Sequence, residues 1–168
     1  MKEVSEKEFN KISKVKIVNI LDGFDNYSSG VIETSDFETL NNILKDCYFK
    51  SEDAIIDYYG NTISEESFNN IMNNLNEKEK LLLKDIKNKF DNSVIYFKNF
   101  SLEELELVNK LSINGILFST YSFVSDEVVI WSNYNKKFPI FFKDNKTIEK
   151  YKDICATYNV GIENLLLR

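Results

Sequence analysis

The densest pattern of apolar and aromatic residues lies between residues 93 and 142. Four runs in this stretch are rich in β-branched and aromatic residues, which pack well on a pleated sheet. These runs cover about residues 93–98, 116–124, 127–133 and 138–142. The first run is apolar at every position from Val94 to Phe97, a pattern typical of a strand that is covered on both faces. The pattern therefore predicts a sheet with this strand at its centre.

A helix is predicted between the first two of these strands. Ser101 and Glu104 have the spacing of a capping box, in which each side chain binds the other residue's backbone N–H. Gly115 lies where a helix commonly ends, directly before the next apolar run. The stretch 93–124 is therefore predicted to form a β–α–β unit.

The remaining two runs predict strands joined by short turns. Residues 125–127 are a tight polar connection, so 116–133 is predicted to be a β-hairpin. Pro139 lies at the start of the last run. Because proline has no N–H to donate to a ladder, this position predicts an edge strand.

Helices and short strands are predicted on either side of this region. Residues 15–21 are rich in Val, Ile and Leu and predict a strand, and Asp22-Gly23 predicts a turn after it. Two apolar stripes at helical spacing predict a helical hairpin near 64–90. Residues 148–158 predict a last helix, and 162–167 a final strand or a docked tail.

The predicted fold class is α+β, with a mixed, largely antiparallel sheet covered by helices. The chain has 168 residues, a hydrophobic content of 43% and no low-complexity linker. These values predict a single globular domain over 1–168. The amino terminus has no apolar segment, and no 18 apolar residues are consecutive. We therefore expect a protein without a membrane partner, located in the cytoplasm.

The composition excludes several kinds of catalytic or metal site. The chain has no histidine, and its one arginine is the last residue, Arg168. It therefore has no histidine-based relay and no histidine-ligated zinc. Its five glycines are scattered and form no phosphate-binding loop. Cys47 and Cys155 each lie on the apolar stripe of a predicted helix, so we expect both thiols to be buried and unpaired. We predict no catalytic residue, no metal and no cofactor.

The negative charge is concentrated in residues 22–66, with eleven carboxylates against two lysines. Such a stretch is either a solvated surface or an acidic surface that attracts a basic partner. Tyrosines within it could add binding energy, since Tyr and Trp are enriched at interface hot spots. Tyr121, Trp131 and Tyr134 likewise suit either the core or a pocket. The candidate partner-binding residues are Asp25, Glu33, Asp36, Glu52, Asp53, Asp57, Tyr58 and Tyr59.

These features are similar, at the level of a class, to small acidic inhibitors made by bacteria and phages, such as toxin-immunity and anti-defence proteins. The resemblance implies a non-enzymatic inhibitor that neutralises a basic partner, such as a toxin nuclease or another nucleic-acid-handling effector. One alternative is an enzyme that uses carboxylate, Tyr or Lys chemistry in a pocket, and another is a structural or regulatory subunit. Nucleic-acid binding is not expected, because the lysine-rich segments 78–98 and 136–152 are only weakly basic. A cleft with convergent buried carboxylates would favour the enzyme, and a convex acidic face the inhibitor.

Overall fold

The computed structural model describes all residues from Met1 to Arg168, and its strands form one eight-stranded sheet. The strands are β1 (Lys2–Val4), β2 (Ser28–Glu33), β3 (Ala54–Asp57), β4 (Tyr96–Lys98), β5 (Thr120–Phe123), β6 (Val128–Trp131), β7 (Lys137–Phe142) and β8 (Ile162–Leu166). Their order across the sheet is β1-β4-β3-β5-β6-β7-β2-β8, and every neighbouring pair is antiparallel. The predicted α+β class is confirmed.

Seven α-helices accompany the sheet. They are α1 (Glu6–Ile12), α2 (Ile20–Asn26), α3 (Phe37–Phe49), α4 (Glu65–Met72), α5 (Glu77–Lys89), α6 (Leu102–Ile113) and α7 (Ile148–Ala156). The predicted helical hairpin is formed by α4 and α5. The capping box that predicted the start of α6 is present, with Ser101 and Glu104 each bonded to the other's backbone. None of these helices is both long and apolar enough to cross a membrane.

The strand predicted at 15–21 is not formed. Residues 13–19 have no regular structure, and α2 follows them, capped by the side chain of Asn19. The predicted turn at Asp22-Gly23 therefore lies inside a helix. The apolar residues of this segment reflect burial on top of the sheet instead of pairing within it, because Val15 packs on Val129 and Phe141.

Two details of strand position also differ from the predictions. β4 is not central, since it is second from the edge, between β1 and β3. β7 is not an edge strand, since it lies between β6 and β2. Pro139 is tolerated there because the pairing with β6 stops at Ile140, opposite Ile130, and does not include Pro139.

The predicted β–α–β unit is present in a split form. Both β4 and β5 are antiparallel to β3, so they run parallel to one another with β3 between them. Helix α6 connects them on one face of the sheet. β7 and β8 flank β2 in the same way and are connected by α7.

The two faces of the sheet are covered very differently. Helices α3 to α7 contribute to the main core cluster on one face, which we call the helix-covered face. This cluster contains Phe97, Tyr121 and both cysteines, Cys47 and Cys155, which are buried and free as predicted. The opposite face, which we call the open face, carries only α1, residues 13–19 and α2. It has a small cluster of Val15, Val129 and Phe141. Any recess in the sheet surface is therefore expected on the open face.

Candidate functional site

One row of side chains crosses the open face from β4 to β6. Tyr96 and Asp57 are cross-strand partners, as are Thr120 and Trp131. The backbone N–H of Thr120 donates a hydrogen bond to Asp57 Oδ1 and so joins the two pairs. The antiparallel register therefore places one carboxylate in the middle of a row that has an aromatic ring at each end.

This row forms part of the floor of a pocket with a volume of about 450 Å³, which we call the Asp57 pocket. The wall comes from α1 and from residues 15–18 of the irregular segment. Phe9 of α1 stacks on Tyr96, with ring centroids 4.1 Å apart and planes inclined by 15°. The backbone N–H of Lys16 donates to the Tyr27 hydroxyl at 3.1 Å, which ties the wall to the end of α2. The remaining lining residues are Glu6, Asn10, Val15, Ile17, Val18, Tyr59, Ser122 and Val129.

Asp57 is the carboxylate on the floor of this pocket. It accepts hydrogen bonds from the Thr120 N–H and, at a long 3.5 Å, from the Tyr59 hydroxyl. No cationic group lies within ion-pair distance of it. Burial raises the pKa of Asp57 from its ordinary value of 3.8 to about 7, although these hydrogen bonds act in the opposite direction. The pocket therefore holds a carboxyl group that changes charge near neutral pH.

The tyrosines beside Asp57 remain protonated at neutral pH. Burial, together with the negative charge of Asp57, raises the pKa of Tyr59 to about 12. The pKa of Tyr96 is raised by burial and by the charges of Asp57 and Glu6. Both hydroxyl groups can therefore donate hydrogen bonds, and both rings remain neutral. The site offers one ionisable acid among aromatic rings.

The structure divides the predicted acidic residues into two groups. Asp25, Glu33 and Asp36 lie near the two ends of β2, whereas Glu52 and Asp53 precede β3. The two strands are four positions apart in the sheet, or about 19 Å at the usual strand spacing. The acidic stretch 22–66 is therefore not one continuous surface.

The first group has local partners. Glu33 forms an ion pair with Lys137 at 3.0 Å. Asp36 caps α3 by accepting from the Thr39 N–H at 2.7 Å, and this contact lowers its pKa. Asp25 lies exposed on α2. Two of these three residues therefore have a structural role within the fold.

The second group gathers along β3. Glu52 and Asp53 line a smaller recess of about 230 Å³ at the start of the strand, beside Phe49, which is 57% exposed. Asp57 and Tyr59 line the larger pocket at its end. We call Glu52, Asp53, Asp57 and Tyr59 the β3 surface. Tyr58 does not belong to it, because its side chain is 1% exposed and packs in the main core.

Sequence reasoning did not assign Tyr96, Thr120 or the wall of the pocket to a site. Trp131 was open to either interpretation, and it lines the pocket. Alternation along β4 and β6 places Tyr96 and Trp131 opposite the core residues Phe97 and Ile130. Alternation alone does not place Tyr96 and Trp131 in one pocket, because β3 and β5 separate β4 from β6. The strand order is also needed.

Comparisons with protein-family models, with curated proteins and with solved structures found no match to this chain. No group of three or more Asp, Glu or Cys side chains converges in a way that could hold a metal ion.

Proposed function

We propose that the protein is a non-enzymatic inhibitor that binds a basic protein partner through the β3 surface. The observation that carries this proposal is that the carboxylates along β3 form no ion pairs. Glu52, Asp53 and Asp57 form no ion pair, whereas the neighbouring Asp46 is paired with Lys50 at 2.9 Å. Unpaired carboxylates beside exposed aromatic rings give the electrostatic and apolar complementarity that a basic partner would need.

The kind of inhibitor is proposed from the class-level resemblance described above. Small acidic proteins of bacteria and phages act as immunity or anti-defence proteins by covering the basic active site of a nuclease or effector. Such a protein needs an acidic, well-ordered surface and no catalytic group of its own. The β3 surface would meet this requirement because Asp57 lies in the strand and the other three residues lie within two positions of its ends.

A photocrosslinking experiment tests whether the β3 surface binds a protein. The photoreactive residue p-benzoylphenylalanine replaces Tyr59, which is 38% exposed at the pocket. The matched control carries it at Leu81 of α5, which is 63% exposed on the other side of the sheet. Irradiation in the native cells should give a covalent adduct with a basic protein from position 59 alone. Equal adducts from both positions, or none from either, would contradict the proposal.

Charge reversal then tests the electrostatic part with the captured partner. The double variant Glu52→Lys, Asp53→Lys should slow association at low salt. It should have little effect near 1 M salt, where the Debye screening length is only about 3 Å. Its free energy of unfolding should change by about 0.5 kcal/mol or less, because both residues are exposed. The control is Glu66→Lys, Asp85→Lys on α4 and α5, which should leave the association rate unchanged. An unchanged rate for the β3 variant across the salt range would remove the electrostatic argument.

One observation favours a second candidate, an enzyme that uses Asp57 as a general acid–base. A catalytic group works best when its pKa is near the operating pH, and the pKa of Asp57 is about 7. The test is incubation with a metabolite extract of the native cells, followed by mass spectrometry. Consumption of a compound by the wild type but not by Asp57→Asn would favour the enzyme over the inhibitor.

A further inference from the structure

We infer that the Asp57 pocket binds one ammonium or guanidinium group, carried by a lysine or arginine side chain of the partner. The inference rests on the proposed function only for the source of the cation, since the chemistry of the pocket stands without it. Four features of the pocket support a cation: an uncompensated carboxylate, aromatic walls, an apolar path for the side-chain stem, and a second carboxylate, that of Glu6.

The carboxylate lacks a positive partner within the protein. Both groups that donate to Asp57, the Thr120 N–H and the Tyr59 hydroxyl, are neutral. Ionised Asp57 therefore keeps a full negative charge in a site from which much of the water is excluded. A cation entering the pocket would meet this charge where screening is weaker than in bulk water, so that the pairing is stronger.

Aromatic rings line the pocket around this carboxylate. Tyr59, Tyr96 and Trp131 contribute their rings, and a cation within about 6 Å of a ring centroid is attracted to its face. The stack of Phe9 on Tyr96 occupies one face of Tyr96 and fixes the orientation of the ring. The negative face of each ring would repel an anion. The lining therefore favours a positively charged guest.

Apolar side chains offer a path for the stem of a long basic residue. Val15, Ile17 and Val129 line the pocket. Lysine and arginine bury their methylene stems along such surfaces while the charged end reaches a polar group. A volume of about 450 Å³ lies within the range usual for ligand sites, so a side chain and part of its backbone can enter.

Two charged residues complete the lining. Glu6 of α1 adds a second negative group, and Lys16 is the one cation among the lining residues. Lys16 forms no ion pair with Asp57. Its positive charge would repel a cation that enters the pocket. Removing that charge should therefore strengthen binding.

The experiment uses the intrinsic fluorescence of Trp131, the single tryptophan of the chain. The probes are N-acetyl-lysine methylamide and N-acetyl-arginine methylamide. The neutral control is N-acetyl-norleucine methylamide, which keeps the stem but lacks the charge. A saturable fluorescence change is expected with at least one basic probe. Binding of norleucine should be at least about tenfold weaker, equivalent to about 1.4 kcal/mol. Equal affinity for the neutral probe would overturn the inference.

Variants assign the binding to Asp57. Asp57→Asn keeps an acceptor for the Thr120 N–H but loses the charge, so the affinity for the basic probe should fall at least about tenfold. Asp85→Asn, a carboxyl-to-amide change in the groove between α5 and α6, should leave it unchanged. Lys16→Gln should bind the basic probe several-fold more tightly, which tests the site even if Asp57→Asn fails to fold. Unchanged affinity in both Asp57→Asn and Lys16→Gln would overturn the inference.

The pH dependence and a free diamine give two further readouts in the wild type. Because burial holds part of the Asp57 population neutral up to about pH 7, binding should strengthen as the pH rises from 6 to 8. Glu6, Lys16, Tyr59 and Tyr96 are the other titratable groups that line this pocket.

1,5-Diaminopentane should bind more weakly than the lysine probe, because it lacks the flanking backbone. Tighter binding of the diamine would contradict a side chain as the source.

The outcomes separate this inference from the proposed function. If a crosslinked partner is found at position 59 but neither basic probe binds, the cation site is wrong and the inhibitor proposal stands. If the basic probes bind but no partner is captured, the cation site stands and the inhibitor proposal is wrong.

Discussion

The two faces of the sheet are built from alternate residues of the same strands, yet they differ in chemistry. On the helix-covered face, Phe97, Tyr121 and Ile130 belong to a cluster of 32 buried residues. On the open face, their immediate neighbours Tyr96, Thr120 and Trp131 line a pocket. One face thus contributes most of the core, while the other leaves side chains accessible.

Polar groups follow the same division. On the helix-covered face, the Asn109 Nδ2 group donates to Asn41 Oδ1, and the Tyr121 hydroxyl donates to Asn109 Oδ1, each at 2.9 Å. These buried groups bind one another. On the open face, Asp57 has only neutral donors. A buried polar group that is satisfied within the fold indicates a structural role, whereas one without a counter-charge indicates binding or catalysis.

The largest effect is expected from truncating aromatic residues on opposite faces of β4. Phe97→Ala should lower the free energy of unfolding by about 3–5 kcal/mol, because it leaves a cavity in the main core. Tyr96→Ala removes a partly exposed ring and its stack on Phe9, which should cost about 1–2 kcal/mol. Chemical denaturation measures both values. Equal losses would contradict the distinction between the faces.

An intermediate effect is expected from the buried polar chain. Asn109→Ala removes the acceptor of the Tyr121 hydroxyl and the donor to Asn41 Oδ1, which should lower the free energy of unfolding by about 1–3 kcal/mol. Asn10→Ala, at the exposed wall of the pocket, is the control and should change it by about 0.5 kcal/mol or less. If Asn109→Ala were as neutral as its control, the buried chain would contribute nothing to stability.

The titration of Asp57 makes the stability of the fold depend on pH. Its pKa is about 7 in the fold against an ordinary value of 3.8, so the folded state binds the proton more tightly. This contribution to stability is fully present below about pH 4 and is lost as the pH rises through 7. Asp57→Asn removes the titration. The melting temperature of Asp57→Asn minus that of the wild type should therefore increase from pH 4 to pH 8. The increase should be about 3 °C for each 1 kcal/mol of unfolding free energy that the wild type loses.

The control for this prediction is Ser122→Ala, which changes a pocket residue that does not titrate. Thermal unfolding of this variant should have the same pH profile as that of the wild type. If the melting temperature of Asp57→Asn had the same pH profile as that of the wild type, Asp57 would not be the group that binds the proton.

The sequence alone determined those helices whose signals, such as capping residues and apolar stripes, lie within a few neighbouring residues. The capping box at Ser101 and Glu104 marked the start of α6, because those contacts lie within one helical turn. The apolar stripes predicted the burial of Cys47 and Cys155 for the same reason. The strand predicted at 15–21 was wrong because its Val and Ile residues report burial, and a segment lying on a sheet buries such residues just as a strand does.

The site was decided by tertiary structure. Asp57 and Tyr59 were among the candidate residues, but their role depended on strand order, which brings Tyr96 and Trp131 to the same pocket from distant parts of the chain. Sequence also grouped the carboxylates of residues 22–66, whereas folding separates β2 from β3 by four strand positions. Charge and periodicity are properties of neighbouring residues along the chain. Which residues share a face and lose their water depends on long-range pairing, and no local pattern encodes it.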